Sequence, residues 1–157
     1  MLKKVISGAQ TGADVAGLEV AKKFGLETGG TMPFGFKSHA GPKPEFQEMY
    51  GICAHFSSSY VPRTRENVKN SDATIRLAFD FESSGEICTL KAINRFKKPY
   101  FDVDLNDPLP VSDVIEWLEK ENVKTLNIAG NSERHVGTHE ATTAYLTRLF
   151  EEMKNRA

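Results

Sequence analysis

Ser7, Gly8, Gln10, Thr11, Gly12 and Asp14 follow directly on a short apolar run, Lys4 to Ile6, and precede a helical pattern from Ala13 to Phe24. Strand, glycine-rich turn and helix in that order offer anion binding. Glycines let the backbone come close to a ligand, and the helix aims unpaired N–H groups and the positive end of its dipole at the turn. The spacing is neither GxGxxG nor GxxxxGKS/T, so it identifies neither a dinucleotide fold nor a P-loop. The same order also suits a plain strand-to-helix connection, with Asp14 as a capping carboxylate. If the turn binds an anion, exchanging Gly8 and Gly12 for Val is expected to abolish binding and leave the fold.

A second turn of this kind lies at Ser83, Ser84 and Gly85, before Glu86, Ile87, Cys88, Leu90 and Ala92. Its serines can cap a helix or bind an oxyanion. Arg63 and Arg65 form a cationic pair suited to phosphate, since guanidinium forks match phosphate oxygens. Between these stations, Leu26 to Phe46 has little periodicity and much punctuation, including Gly29, Gly30, Pro33, Gly35, Gly41, Pro42 and Pro44. A loop this long is usually functional or disordered. Lys37 and His39 are its polar candidates; Phe34 and Phe36 could stack on a planar ring or anchor the loop. His135 and His139 have a metal-ligand spacing, but Gly137 lies between them and no third ligand has a recognisable place, so no metal site is assigned.

The elements that must position these groups alternate. Ala13, Ala16, Gly17, Val20, Ala21 and Phe24 share one helix face, which Gly25 can close in a left-handed cap. Pro62 can open a helix that Asn70, Ser71 and Asp72 close. Ala73 to Phe79 alternates as a strand, and Arg76 in its middle points to an incompletely buried face or a subunit contact. Further strands are expected at PYFDVDL and at Lys124 to Gly130, and further helices on Val111, Val114, Ile115 and Leu118 and on Thr142, Tyr145, Leu146, Leu149 and Met153. This order predicts an α/β, Rossmann-like three-layer fold: a mostly parallel sheet with helices on both faces and right-handed crossovers. The glycine-rich stretches 8–12, 29–44, 82–86 and 130–137 would gather outside the carboxyl ends of the strands, where ligands bind in such sheets.

At 157 residues the chain is read as one domain, residues 1–157, with an ordinary hydrophobic core. A formal net charge of -1 supplies no basic field for nucleic acid or an anionic membrane. Cys53 and Cys88 have neither disulfide-framework nor thiolate-zinc spacing. The N-terminus has no signal-peptide core, and no run approaches membrane-spanning length, so a cytoplasmic setting is expected.

Read together, SGAQTGAD at Ser7 to Asp14, GGTMPFGFKSHAGPKP at Gly29 to Pro44, RTRENVKNSDAT at Arg63 to Thr74, SG at Ser84 and Gly85, and LNIAG at Leu126 to Gly130 resemble the molybdenum carrier family. That family is similar to the circularly permuted YpsA-related branch of the SLOG superfamily of Rossmann-like nucleotide-binding domains. The resemblance implies noncovalent carriage of the molybdenum cofactor (molybdopterin) or molybdate. It also implies homo-oligomers, dimer or tetramer, that serve molybdoenzymes or cofactor-insertion proteins. With the resemblance, the expected binding set is Ser7, Gly8, Gln10, Thr11, Gly12, Asp14, Gly30, Pro33, Lys37, Arg63, Ser84, Gly85, Glu86 and Gly130. Glu86 and Ile87 replace the small, Thr-containing continuation expected after SG, and His39 and Ala40 stand where acidic residues are expected. The alternatives are a nucleotide-binding sensor domain and an enzyme resembling nucleoside-monophosphate phosphoribohydrolases, with Asp14, Glu86 or Glu140 as acid or base and Arg63 on phosphate. The PGGxGTxxE signature of those enzymes is absent.

Overall fold

The computed structural model describes residues 1–157. Six strands form one all-parallel sheet: β1 (Lys4–Ser7), β2 (Glu27–Met32), β3 (Ile52–Ala54), β4 (Ala73–Ala78), β5 (Tyr100–Asp104) and β6 (Thr125–Gly130). Their spatial order is β3-β2-β1-β6-β4-β5. The chain builds outward from β1 to β3, crosses to β4 and β5, and then returns to insert β6 between β1 and β4. That reversal opens a crevice at the carboxyl ends of the central strands, the place where open parallel sheets bind ligands.

Helices cover both faces. On one, α1 (Ala13–Lys23), α5 (Val111–Lys120) and α6 (Thr138–Arg156) pack over the sheet. Their core joins Val20 and Ala21 to Val114 and Leu118 and to Tyr145, Leu146 and Leu149, with Val5, Ile75, Leu77, Val103, Leu126 and Ile128 from the strands. On the other, α3 (Tyr60–Lys69) meets α4 (Ser84–Phe96) through Val68, Ala92 and Ile93. The short α2 (Phe46–Tyr50) places Tyr50 against Leu18, Met32 and Ile52. β4 is buried along its whole length and β6 from Leu126 to Ile128, because both faces of these central strands are covered. No helix is long and apolar enough to cross a membrane.

Two local expectations are corrected and a third holds. Gly29 and Gly30 are not loop residues; they lie in β2, and a Cβ on Gly30 would run into the carbonyl oxygen of Ser7 on the neighbouring strand. The stretch read as one loop therefore holds a strand, followed by a short helical turn (Phe34–Phe36) and α2. Arg76 marks no open face: it is 3% exposed, and its guanidinium grips Asp102 of β5 at 2.7 and 2.6 Å. Gly25 ends α1 with a positive φ of 77°, as its position after the apolar face predicts.

Candidate functional site

A cavity of about 500 Å³ opens at the carboxyl ends of β1, β6 and β4, on the side covered by α3 and α4. The β1–α1 turn, the first turns of α3 and α4, and the loop after β6 form its walls.

The β1–α1 wall is held from within. Ser7 Oγ accepts from Ala9 N at 3.1 Å and donates to Asp14 O at 2.9 Å. The Asp14 carboxylate accepts from Gln10 N at 3.3 Å. Gln10 spends its side-chain amide on the long loop, donating to Lys37 O at 2.9 Å and accepting from His39 N at 3.3 Å. Thr11 Oγ1 accepts from Glu133 N at 3.1 Å, which ties in the loop after β6. Gly8, Thr11 and Gly12 keep unbonded N–H groups, but this turn already holds a carboxylate of its own.

The α4 wall is open. Ser83 occupies the N-cap position, yet its hydroxyl accepts nothing from the helix and donates instead to Glu86 Oε2 at 2.6 Å. The N–H groups of Ser84, Gly85 and Glu86 have no acceptor in the chain. Three such donors at the positive end of a thirteen-residue helix offer a cradle of the kind that suits an anion. A Cβ on Gly85 would meet nothing within 4 Å, so the approach to the cradle is clear.

Charge is arranged around the cradle. Arg63 Nη1 lies 3.6 Å from Asp14 Oδ2, and its Nε is buried without a partner. The guanidinium rests against Gly8, in space a Cβ there would take, and 5.3 Å from the Tyr60 ring centroid. Burial pushes the Asp14 carboxyl up to about 6, against the opposing pull of Arg63 and Gln10 N; the Glu86 charge pushes the same way as burial. At the rim, desolvation and then repulsion from Arg134, Arg63 and Lys37 hold the His39 imidazole below its usual value. A cationic rim thus overlies two buried carboxyl groups.

Of the expected binding set, the structure brings Gly8, Gln10, Thr11, Asp14 and Arg63 to the cavity, together with Ser84, Gly85 and Glu86. The others lie elsewhere. Ser7 and Pro33 are buried outside its lining, Gly30 and Gly130 serve strand packing, and Lys37 directs its amine toward Ser58 O and the Tyr60 ring. Gly12 is a backbone requirement: its φ is 76°, and a Cβ would collide with Asn131 O, so a Val there cannot leave the fold untouched. Arg65 does not line the cavity, nor do Phe34 and Phe36; the aromatic wall is Tyr60. His135 and His139 separate, one 3.6 Å from Asp80 and the other 3.0 Å from Glu19. No group of three or more His, Cys, Asp or Glu side chains is placed to hold a metal ion.

Sequence reasoning missed Asn131. Its carbonyl accepts from Ala13 N at 3.0 Å, its Oδ1 accepts from Phe79 N and Asp80 N, and its Nδ2 donates to Glu86 Oε2 at 2.9 Å. One residue therefore locks the three loops together, its main-chain carbonyl holding the start of α1 and its side chain the loop after β4 and Glu86. Its only signal was an Asn directly after a strand-ending glycine, which reads as ordinary turn chemistry.

The circularly permutated YpsA SLOG family matches residues 5–150. Among solved structures, a crystal structure named "Putative molybdenum carrier protein", from Syntrophus aciditrophicus, is 31% identical and superposes with a TM-score of 0.85. The match covers 95% of this chain and 94% of that one. No curated protein matches. With a family match over nearly the whole length and a full-length structural relative, this chain belongs to the circularly permutated YpsA SLOG family.

Proposed function

We propose that this protein binds and carries an anionic, phosphate-bearing small molecule without covalent attachment, and that the cargo is the molybdenum cofactor. The observation that carries the reading is the α4 cradle: three unpaired N–H groups, a cavity of about 500 Å³ above them, and Arg63, Arg134 and His39 around it. A phosphate placed there gains charge-assisted bonds to Ser84, Gly85 and Glu86 N–H and the attraction of Arg63. The molybdenum carrier name of the structural relative supports this choice of cargo. Delivery to molybdoenzymes or cofactor-insertion proteins in the cytoplasm, by a homo-oligomer, belongs to the same reading.

The test is native mass spectrometry of the protein as purified, with elemental analysis for molybdenum and tungsten on the same sample. A bound molybdopterin mass with metal is expected. A nucleotide mass without metal would reject the cargo and favour a nucleotide-binding sensor.

One observation favours a second reading. A carboxyl raised to about 6 beside Glu86 is a fitting general acid, as hydrolysis of a nucleoside monophosphate at its N-glycosidic bond would need. Release of free base from nucleoside monophosphates, lost in Asp14→Asn, would establish it; no turnover excludes it.

A further inference from the structure

Glu86 is 2% exposed, and only its Oε2 is satisfied, by Ser83 Oγ at 2.6 Å and Asn131 Nδ2 at 2.9 Å. Its Oε1 accepts nothing from the chain. Asp14 is 6% exposed and has the same asymmetry, with Oδ2 turned to Gln10 N and Arg63 and Oδ1 without a hydrogen bond. Both residues line the cavity. Neither oxygen is among the fully enclosed, unpartnered side-chain atoms, so both open on the cavity, and a ligand that displaces water from a charged acceptor there must bring donor hydrogens in its place. Molybdate, a bare tetrahedral oxyanion, cannot supply them. It brings only acceptors and further negative charge, and it leaves most of a 500 Å³ cavity empty.

We infer that the cavity selects an organic monophosphate carrying O–H or N–H hydrogens over a bare oxyanion, with the free carboxylate oxygens of Glu86 and Asp14 as the selecting acceptors. The inference rests on the anion reading above and adds to it the other half of the ligand. The phosphate sits on the α4 cradle, and the carbon framework turns hydroxyl or ring N–H groups toward the two carboxylates. Sugar phosphates and pterin phosphates both have this chemistry. Molybdate has no donor hydrogen, and the O–H of inorganic phosphate lies on the anion itself, with no framework to carry it from the α4 cradle to the carboxylates.

Calorimetric titration of the full-length protein tests it with four probes: methyl phosphate, molybdate, ribose 5-phosphate and a pterin monophosphate. At least one of the last two is expected to bind about tenfold or more tightly than methyl phosphate or molybdate, roughly the worth of one charge-assisted hydrogen bond. The tighter of them identifies O–H or N–H as the donor. In Glu86→Gln, Ser83 and Asn131 hold the amide oxygen, so the NH₂ must face the cavity and an acceptor becomes a donor. Methyl phosphate and molybdate should then bind more tightly and the donor-bearing probes more weakly, shrinking the preference to about threefold or less. Asp14→Asn, whose oxygen can stay on Gln10 N, is the second variant. A purely structural role would weaken all four probes together. Equal affinities in the unmodified protein would overturn the selection while leaving the anion reading; no binding by any probe would overturn both.

Discussion

The Ser83 hydroxyl donates to Glu86 Oε2 at 2.6 Å and accepts no N–H from the first turn of α4, which stays uncapped. An N-cap serine ordinarily accepts from its own helix and stabilises it by about 1 kcal/mol. Here the hydroxyl is spent on fixing a carboxylate, and the helix keeps three open N–H groups for a ligand.

Gly85→Val should abolish anion binding without harming the fold. Its Cβ enters open space above the cradle, and Gly85 lies in a helix, where Val is tolerated at least as well as Gly. Thermal melting should place the variant within about 0.5 kcal/mol of the parent. Titration with a phosphate-bearing ligand should show no heat of binding, and full retention of affinity would remove the cradle from the account.

The two glycines of the β1–α1 turn should behave differently from each other. Gly8→Val meets the flexible end of Arg63, so it should displace that guanidinium and weaken binding while the protein still folds. Gly12→Val has a left-handed φ of 76° and a backbone oxygen in its way, and should lose roughly 3 kcal/mol or more of stability. Urea unfolding of both variants checks the contrast.

Asp14 makes stability fall as pH rises. Its folded value of about 6 lies above the ordinary 3.8, so between these values the folded state holds the proton the unfolded state has released. Stability should drop by roughly 3 kcal/mol from pH 4 to above pH 6 and then level off. Asp14→Asn should lack that drop. Parallel pH profiles for the two proteins would show that the carboxyl is not held as described. Anion binding should strengthen over the same range on acidification, since the site loses a negative charge as Asp14 takes up its proton.

Asp102→Ala leaves the Arg76 guanidinium buried without its carboxylate. Arg76 Nη1 also donates to Glu86 O at 3.0 Å, so the damage reaches the cradle. The expected cost is about 2–3 kcal/mol, below the full value for a buried pair because Asp102 is partly exposed. Hydrogen exchange should quicken at amides in the first turns of α4, and unchanged exchange there would separate the ion pair from the site.

How much of this was legible in the sequence depended on the range of the interaction. Apolar spacing located α1 and α6, and the strand-turn-helix order at Ser7 to Asp14 and at Ser83 to Glu86 located two walls of the cavity. β2 stayed hidden because Gly29 and Gly30 read as loop punctuation, whereas Gly30 is required by the backbone of Ser7 in β1. Arg76 read as a sign of an open face because its partner, Asp102, belongs to a strand that only the sheet order makes its neighbour. Asn131 escaped for the same reason: its partners are Ala13, Phe79, Asp80 and Glu86, and none is near in sequence. Gln10 and Thr11 were found as polar residues at the turn, but their side chains tie loops together.

The central claim is that an anion sits at the start of α4 rather than at the β1–α1 turn. Crystals soaked in sodium tungstate test this directly through the anomalous signal of tungsten. A peak is expected within hydrogen-bonding distance of the backbone nitrogens of Ser84, Gly85 and Glu86; a peak at Gly8 to Gly12 with none at α4 would show that the anion site lies at the other helix.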